Sequence, residues 1–310
     1  MPFENLSRRR FLESSTLGIS GVTMSLAIGT QCRTTGKTGS RNAQTALRDR
    51  LFILDTWFWK NRLSIPEQNE MLKTIGLPRV SDCRGKWETF PELLATLDRE
   101  GIELVAVYAP LDIDSGELPE YVNNFMEQLK GRDTLVWFNL TSKEYGRSDP
   151  AGDDVALRLM RQAADATQQA GVQISIYPHA GCWAERAADA YRVAVKTQSD
   201  NVGCTFNLYH WLKVEGPDNF EEKAKAVLPK LNCITINGTQ KNASELKVEE
   251  GILPLGEGDY DVEAFVKTFV GLGYTEPIGL QGYGIGGDIQ AKLEKSLDEW
   301  GKYCANINSR

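Results

Sequence analysis

The sequence predicts an α/β fold of the (β/α)8 barrel type, a parallel eight-stranded barrel with outer helices, and three observations carry that expectation. Short β-rich apolar runs alternate with helical patterns from Leu51 onward, the signature of βα units and a parallel sheet. Eight such repeats fill residues 49–310, the length of one barrel domain. No Gly-x-Gly-x-x-Gly follows the first strand, which removes the usual reason to prefer an open dinucleotide-binding sheet.

The first strand is the run 51–55 and its helix is 65–75. The second strand, 79–81, leads to a helix at 90–100, and Gly101 follows where a left-handed C-cap is expected. The third strand is 104–108 with helix 119–129; the fourth is 134–138 with helix 153–170. In that helix Val155, Leu159, Ala163 and Ala166 recur at helical spacing while Arg158, Arg161, Asp165 and Gln168 fall elsewhere, so one face packs and the other is wet. Gly171 ends it as Gly101 ends the second. The remaining pairs are strand 173–177 with helix 183–197, 202–207 with 220–231, 233–237 with 262–272, and 277–281 with 289–306. Asp261 is placed to cap the seventh helix. The glycine-rich run Gln281-Gly-Tyr-Gly-Ile-Gly-Gly-Asp288 either binds phosphate or turns flexibly into the last helix with Asp288 as its cap.

The amino terminus stands apart from the barrel. Ser7-Arg8-Arg9-Arg10-Phe11-Leu12 precedes a weakly apolar stretch from Ser14 to Thr30, and residues 1–32 read as a twin-arginine export signal, with 33–48 a polar spacer. The barrel is therefore expected in the periplasm or at the cell surface. Nothing else in the chain approaches the length of a membrane span. The cysteines after Cys32 are five, with no Cys-x-x-Cys spacing, so zinc-site and disulfide-scaffold readings are weak. A formal net charge of −7, with no basic stripe beyond the signal, argues against a nucleic-acid partner.

In a barrel the residues at the carboxyl ends of the strands converge on one pocket. The only two histidines, His179 and His210, each sit just past a buried-strand run, in Gln173-Ile-Ser-Ile-Tyr-Pro-His179 and Val202-Gly-Cys-Thr-Phe-Asn-Leu-Tyr-His210. Around them the strand ends place Asp55, Trp57, Trp59, Tyr108, Trp137, Asn139, Tyr177, Trp183, Asn207, Trp211, Lys213, Asn237, Gln281 and Tyr283. Flat aromatic faces beside amides and imidazoles suit a polyhydroxylated ligand. The candidates for chemistry are His179, His210, Glu257 and Lys213; those for substrate binding are Trp57, Tyr177, Trp183, Asn207, Trp211, Asn237 and Gln281. Each has a bland alternative: the tryptophans cap the core, Tyr177 and Asn207 are satisfied core residues, and either histidine is structural. Glu257 sits in the glycine-bracketed Leu253-Pro-Leu-Gly-Glu-Gly-Asp-Tyr-Asp261 and has no evident local role.

The fifth-strand Tyr-Pro-His, the sixth-strand Asn-Val-Gly-Cys-Thr-Phe-Asn-Leu-Tyr-His and Leu-Gly-Glu-Gly-Asp-Tyr-Asp together resemble the xylose isomerase-like TIM barrels, the sugar isomerase and epimerase superfamily. The resemblance implies a divalent metal held by a Glu on the fifth strand, an Asp on the sixth, a His on the seventh and a Glu on the eighth. The matching positions are Tyr177, Asn207, Thr235 and Gln281, which are neutral, so no metal and no other cofactor is expected. The expected function is metal-independent acid–base chemistry on a sugar or keto-sugar. The histidines would serve as base and oxygen donor and Lys213 or Tyr177 as a polarising group. The alternative is a non-catalytic barrel that binds carbohydrate and has lost its metal site.

Overall fold

The computed structural model describes residues 46–309. The expected export signal and most of the spacer lie outside those residues. Eight strands close a barrel in sequence order: β1 (Leu51–Ile53), β2 (Arg79–Asp82), β3 (Glu103–Asp112), β4 (Leu135–Thr141), β5 (Gln173–Ile176), β6 (Val202–Asn207), β7 (Leu231–Ile236) and β8 (Ile278–Leu280). Every neighbouring pair is parallel, and β8 returns to β1 through Leu51↔Ile278, Phe52↔Gly279 and Ile53↔Leu280. A 3-10 turn, Leu47–Arg50, precedes β1 and packs Leu47 into the core.

The main outer helices are α1 (Ile65–Thr74), α2 (Phe90–Glu100), α3 (Glu120–Gln128), α4 (Asp153–Ala170) and α5 (Ala187–Thr197). They continue with α6 (Leu208–Glu215), α7 (Phe220–Val227), the single turn α8 (Val248–Gly251), α9 (Val262–Gly271) and α10 (Ile289–Asn308). Gly101 and Gly171 adopt the left-handed conformation after α2 and α4, and Asp261 and Asp288 cap α9 and α10 through Ala264 N–H and Ala291 N–H.

Three local expectations are corrected. The buried stripe of α4 runs through Ala156, Leu159, Met160, Ala163 and Thr167, whereas Val155 and Ala166 lie at its margins. The fifth helix starts at Ala187 rather than 183, because the chain after His179 first makes a turn in which Gly181 N–H donates to Glu185. The residues after β6, which the sequence pattern assigns to no element, form α6 because Asn207 accepts from His210 N–H at 2.8 Å as a side-chain N-cap.

Two apolar layers hold the fold. Phe52, Leu54, Val105, Leu135, Trp137 and Cys233 pack together inside the barrel, with the Trp137 ring 5.8 Å from Phe52 and 5.1 Å from Tyr177. A larger cluster lies between the strands and the helices. Trp137 therefore plugs the barrel beneath the strand ends, and a buried Ser175–Thr205 hydrogen bond of 2.6 Å satisfies the two hydroxyls beside it.

Candidate functional site

A cavity of about 320 Å³ opens at the carboxyl ends of the strands. Leu54, Thr56 and Trp59 enter it after β1, Cys83 after β2 and Tyr108 from β3. Tyr177 and His179 follow β5, His210 stands in the first turn of α6, and Gln281 and Tyr283 follow β8. Val248 and Ile252, at α8, complete the wall. A larger cavity, about 570 Å³, lies among the strand starts against Leu51, Arg79, Glu103 and Trp300. Its Arg79 and Glu103 pair with each other at 2.7 Å, and neither histidine lines it, so size alone does not mark the site.

The two imidazoles are in contact, with ring centroids 3.9 Å apart at 41°. His179 Nδ1 lies 3.0 Å from the Ala180 carbonyl. A carbonyl only accepts, so Nδ1 carries the proton and Nε2 keeps the basic lone pair. His210 is buried, and its Nδ1 has no hydrogen-bond partner. Burial lowers the pKa of His179 below 6.5, against a smaller opposing pull from the Ala180 carbonyl. Burial, and then the neighbouring His179, holds His210 well below that value. Both shifts favour the neutral ring.

Under the histidines runs a neutral hydrogen-bond chain. Asn207 Nδ2 donates to the Tyr177 hydroxyl at 2.5 Å and to Gln281 Oε1 at 3.1 Å, while its Oδ1 caps α6. Burial pushes the Tyr177 and Tyr108 phenols up, so both remain protonated donors.

A family model described as the xylose isomerase-like TIM barrel matches residues 79–302. The chain belongs to that family. Among solved structures, a xylose isomerase domain protein from Alicyclobacillus acidocaldarius is 18% identical with a TM-score of 0.64, over 84% of this chain and 100% of its own. The 3-keto-D-glucoside 4-epimerase YcjR from E. coli, in its apo form, is 14% identical with a TM-score of 0.61, over 82% and 99%. The IolI protein, solved with a zinc atom, is 15% identical with a TM-score of 0.65, over 83% and 97%. At these identities the likeness is one of fold. No curated protein matches the chain.

Tyr177, Asn207, Thr235 and Gln281 stand where the sequence resemblance implies metal ligands, and the groups present there do not fit a hard divalent cation. Such an ion needs oxygen donors, preferably anionic. Asn207 turns N–H donors toward Tyr177 and Gln281, the Gln281 oxygen is occupied by one of them, and the Tyr177 phenol is held protonated. Among the described residues no group of three or more His, Cys, Asp or Glu side chains is placed to hold a metal.

The other expected site residues lie elsewhere. Trp57 is buried with its Nε1 on the Leu280 carbonyl at 3.0 Å; a Cβ on Gly282 would meet its ring at 2.3 Å, so that glycine is required by packing. Trp183 donates to the Asp149 carbonyl, and Trp211 packs with Phe206, Phe220 and Phe265 in the outer core. Asn237 donates to the Gly238 carbonyl at 2.7 Å within its own loop. Lys213 spends its ammonium on the carbonyls of Ser244 and Leu246. Glu257 pairs with Lys295 at 2.9 Å on the surface. The glycines beside it are explained by close approach: Gly258, at φ +95°, would bring a Cβ to 2.0 Å from the Thr239 carbonyl. None of these six lines the cavity.

The sequence reading placed Asp55 at a strand end without a role and missed Cys83 in the wall and the Asp82 and Arg84 grouped with Asp55 behind it. Arg84 Nε lies 2.6 Å from Asp82 and 3.7 Å from Asp55. Asp55 accepts from Trp59 Nε1 and from Cys83 N–H, both at 3.0 Å, and so fixes two cavity residues. Burial, then the Asp82 charge, raises Asp55 to about 7. The run Ser81-Asp82-Cys83-Arg84 at the end of the second strand was the available signal.

Proposed function

We propose that the cavity carries metal-independent acid–base chemistry on a sugar or keto-sugar, of the isomerase and epimerase type found in this sugar isomerase/epimerase-like family. The supporting observation is the pair of neutral imidazoles in contact on the cavity wall, one with its tautomer set by a backbone carbonyl. His179 Nε2 removes a proton from the carbon next to a carbonyl, and the carbonyl electrons shift onto oxygen. His210 and the Tyr108 hydroxyl hydrogen-bond that oxygen as charge develops. Return of the proton to the former carbonyl carbon, with the hydroxyl proton passing from the neighbouring oxygen to the enolate oxygen, gives isomerisation, and return to the opposite face of the original carbon gives epimerisation. The lowered pKa values keep both rings unprotonated at neutral pH, which a base requires.

Incubation of the folded protein with aldoses, ketoses and keto-sugars in D2O tests this reading. Carbon-bound deuterium is expected in at least one substrate, and His179→Ala is expected to slow its entry by about 10²–10⁴-fold, the usual contribution of a general base. No exchange in any of them by a folded protein would sink the catalytic reading. A second reading, a barrel that binds carbohydrate without turning it over, is favoured by the closed Tyr177–Asn207–Gln281 chain and the lack of any carboxylate on the cavity wall. His210→Ala separates the two: a binder loses only affinity, an enzyme loses turnover.

A further inference from the structure

Four large hydrophobic side chains are exposed among the described residues, and three of them belong to the cavity: Trp59 (36%), Val248 (37%) and Tyr283 (40%). They form an apolar rim at its mouth. Clustered exposure of this kind marks a binding surface, whereas single exposed side chains need no explanation. The rim is also held in place. Trp59 is anchored through Nε1 to Asp55 Oδ2, and its ring meets the edge of Tyr283 at 6.1 Å and 77°.

The cavity below the rim carries no formal charge. Its titratable lining groups are the two neutral histidines, protonated Tyr108 and Tyr177, Tyr283 and Cys83, whose thiol burial pushes well up. Among the described residues no Lys or Arg lines the cavity; at neighbouring strand ends Arg84 pairs with Asp82 and Asp55, and Lys213 donates to two carbonyls. A phosphate or carboxylate entering this space would lose its hydration and find no counter-charge.

We infer that the site takes a neutral glycoside. The sugar ring, which carries its reacting carbonyl at a ring carbon other than the locked anomeric one, lies against His179 and His210, and an apolar or aromatic substituent on the anomeric oxygen stacks on Trp59 and Tyr283. The inference rests on the sugar-site reading above and adds the class of sugar: uncharged and substituted, rather than free or phosphorylated.

Calorimetric titration with the phenyl β-glycosides of glucose, galactose and mannose, the three free sugars and their 6-phosphates tests it. At least one phenyl glycoside should bind about ten-fold more tightly than its free sugar, the equivalent of roughly 1.4 kcal/mol of aromatic contact. The matching phosphate should bind more weakly than either. Trp59→Ala and Tyr283→Ala should each remove most of that preference, weakening the phenyl glycoside by a larger factor than the free sugar. Tightest binding by a phosphate, no phenyl preference for any sugar, or a preference that survives both substitutions overturns the inference. So does a dimer that dissociates in Trp59→Ala with ligand preference unchanged, which would make the rim a subunit surface. Phenyl preference without deuterium exchange in D2O would defeat the catalytic reading and leave this one standing. Exchange into free sugars without phenyl preference would do the reverse.

Discussion

At the ends of β5, β6 and β8 the polar side chains are neutral and line the cavity; at the ends of β1 and β2 they are charged and turn away from it. His179, His210, Tyr177 and Gln281 belong to the first group. Asp55, Asp82 and Arg84 belong to the second and lie in the narrow gap under α1 and α2, beside Gln68, Asn69 and Leu97. The two groups meet only through Trp59 and Cys83, which Asp55 holds from behind. The difference shows that the buried charged group sets the shape of the wall, while the groups that line the cavity are held uncharged.

The largest effect that would break this comparison is on turnover. If His179→Ala left deuterium exchange intact, the neutral side would hold no base and the division of labour would fail. Next comes stability on the charged side. Arg84→Met leaves Asp55 and Asp82 facing each other in a buried gap, and removing one partner of a buried ion pair costs about 3–5 kcal/mol. The pH dependence has a definite sign. Asp55 is raised from 3.8 to about 7 in the folded state, so the folded chain binds the extra proton. Its contribution is complete below pH 3.8 and declines as pH rises through about 7, and urea unfolding of the variant should show a steeper loss over that range than the parent. A variant with unchanged midpoint and slope would mean that Arg84 does not compensate the pair. The smallest expected effect is at Glu257. Exposed and paired with Lys295, it should tolerate Glu257→Gln with turnover changed by less than about two-fold. A hundred-fold loss would put a carboxylate back into the chemistry.

Much of this was legible in the sequence. All eight strands fall where the β-rich runs place them, because a strand buried on both faces leaves a continuous apolar signal. The histidines were legible for the same reason: strand ends in a barrel converge whatever the loops do. Which tryptophans face the cavity was not. Trp57, Trp183 and Trp211 stand near strand ends as Trp59 does, yet they are buried in packing contacts, and one residue of register or one turn of helix decides between the two. Helix α6 was hidden because its start depends on the Asn207 side chain, which caps one helix and at the same time donates into the site. The Asp55–Arg84 contact joins the segments that follow two different strands, and local pattern does not report such a pairing.

The central claim is that the barrel holds two neutral, touching imidazoles with His179 as the Nδ1–H tautomer. The chain has only two histidines, so ring ¹⁵N NMR of the ¹⁵N-histidine-labelled protein, titrated from pH 8 to 5, reads both without ambiguity. The account predicts both rings neutral at pH 7, His179 protonating below 6.5, His210 doing so at still lower pH, and an Nδ1–H signature for His179. A histidinium at either position at pH 7, or His179 as the Nε2–H tautomer, would contradict it.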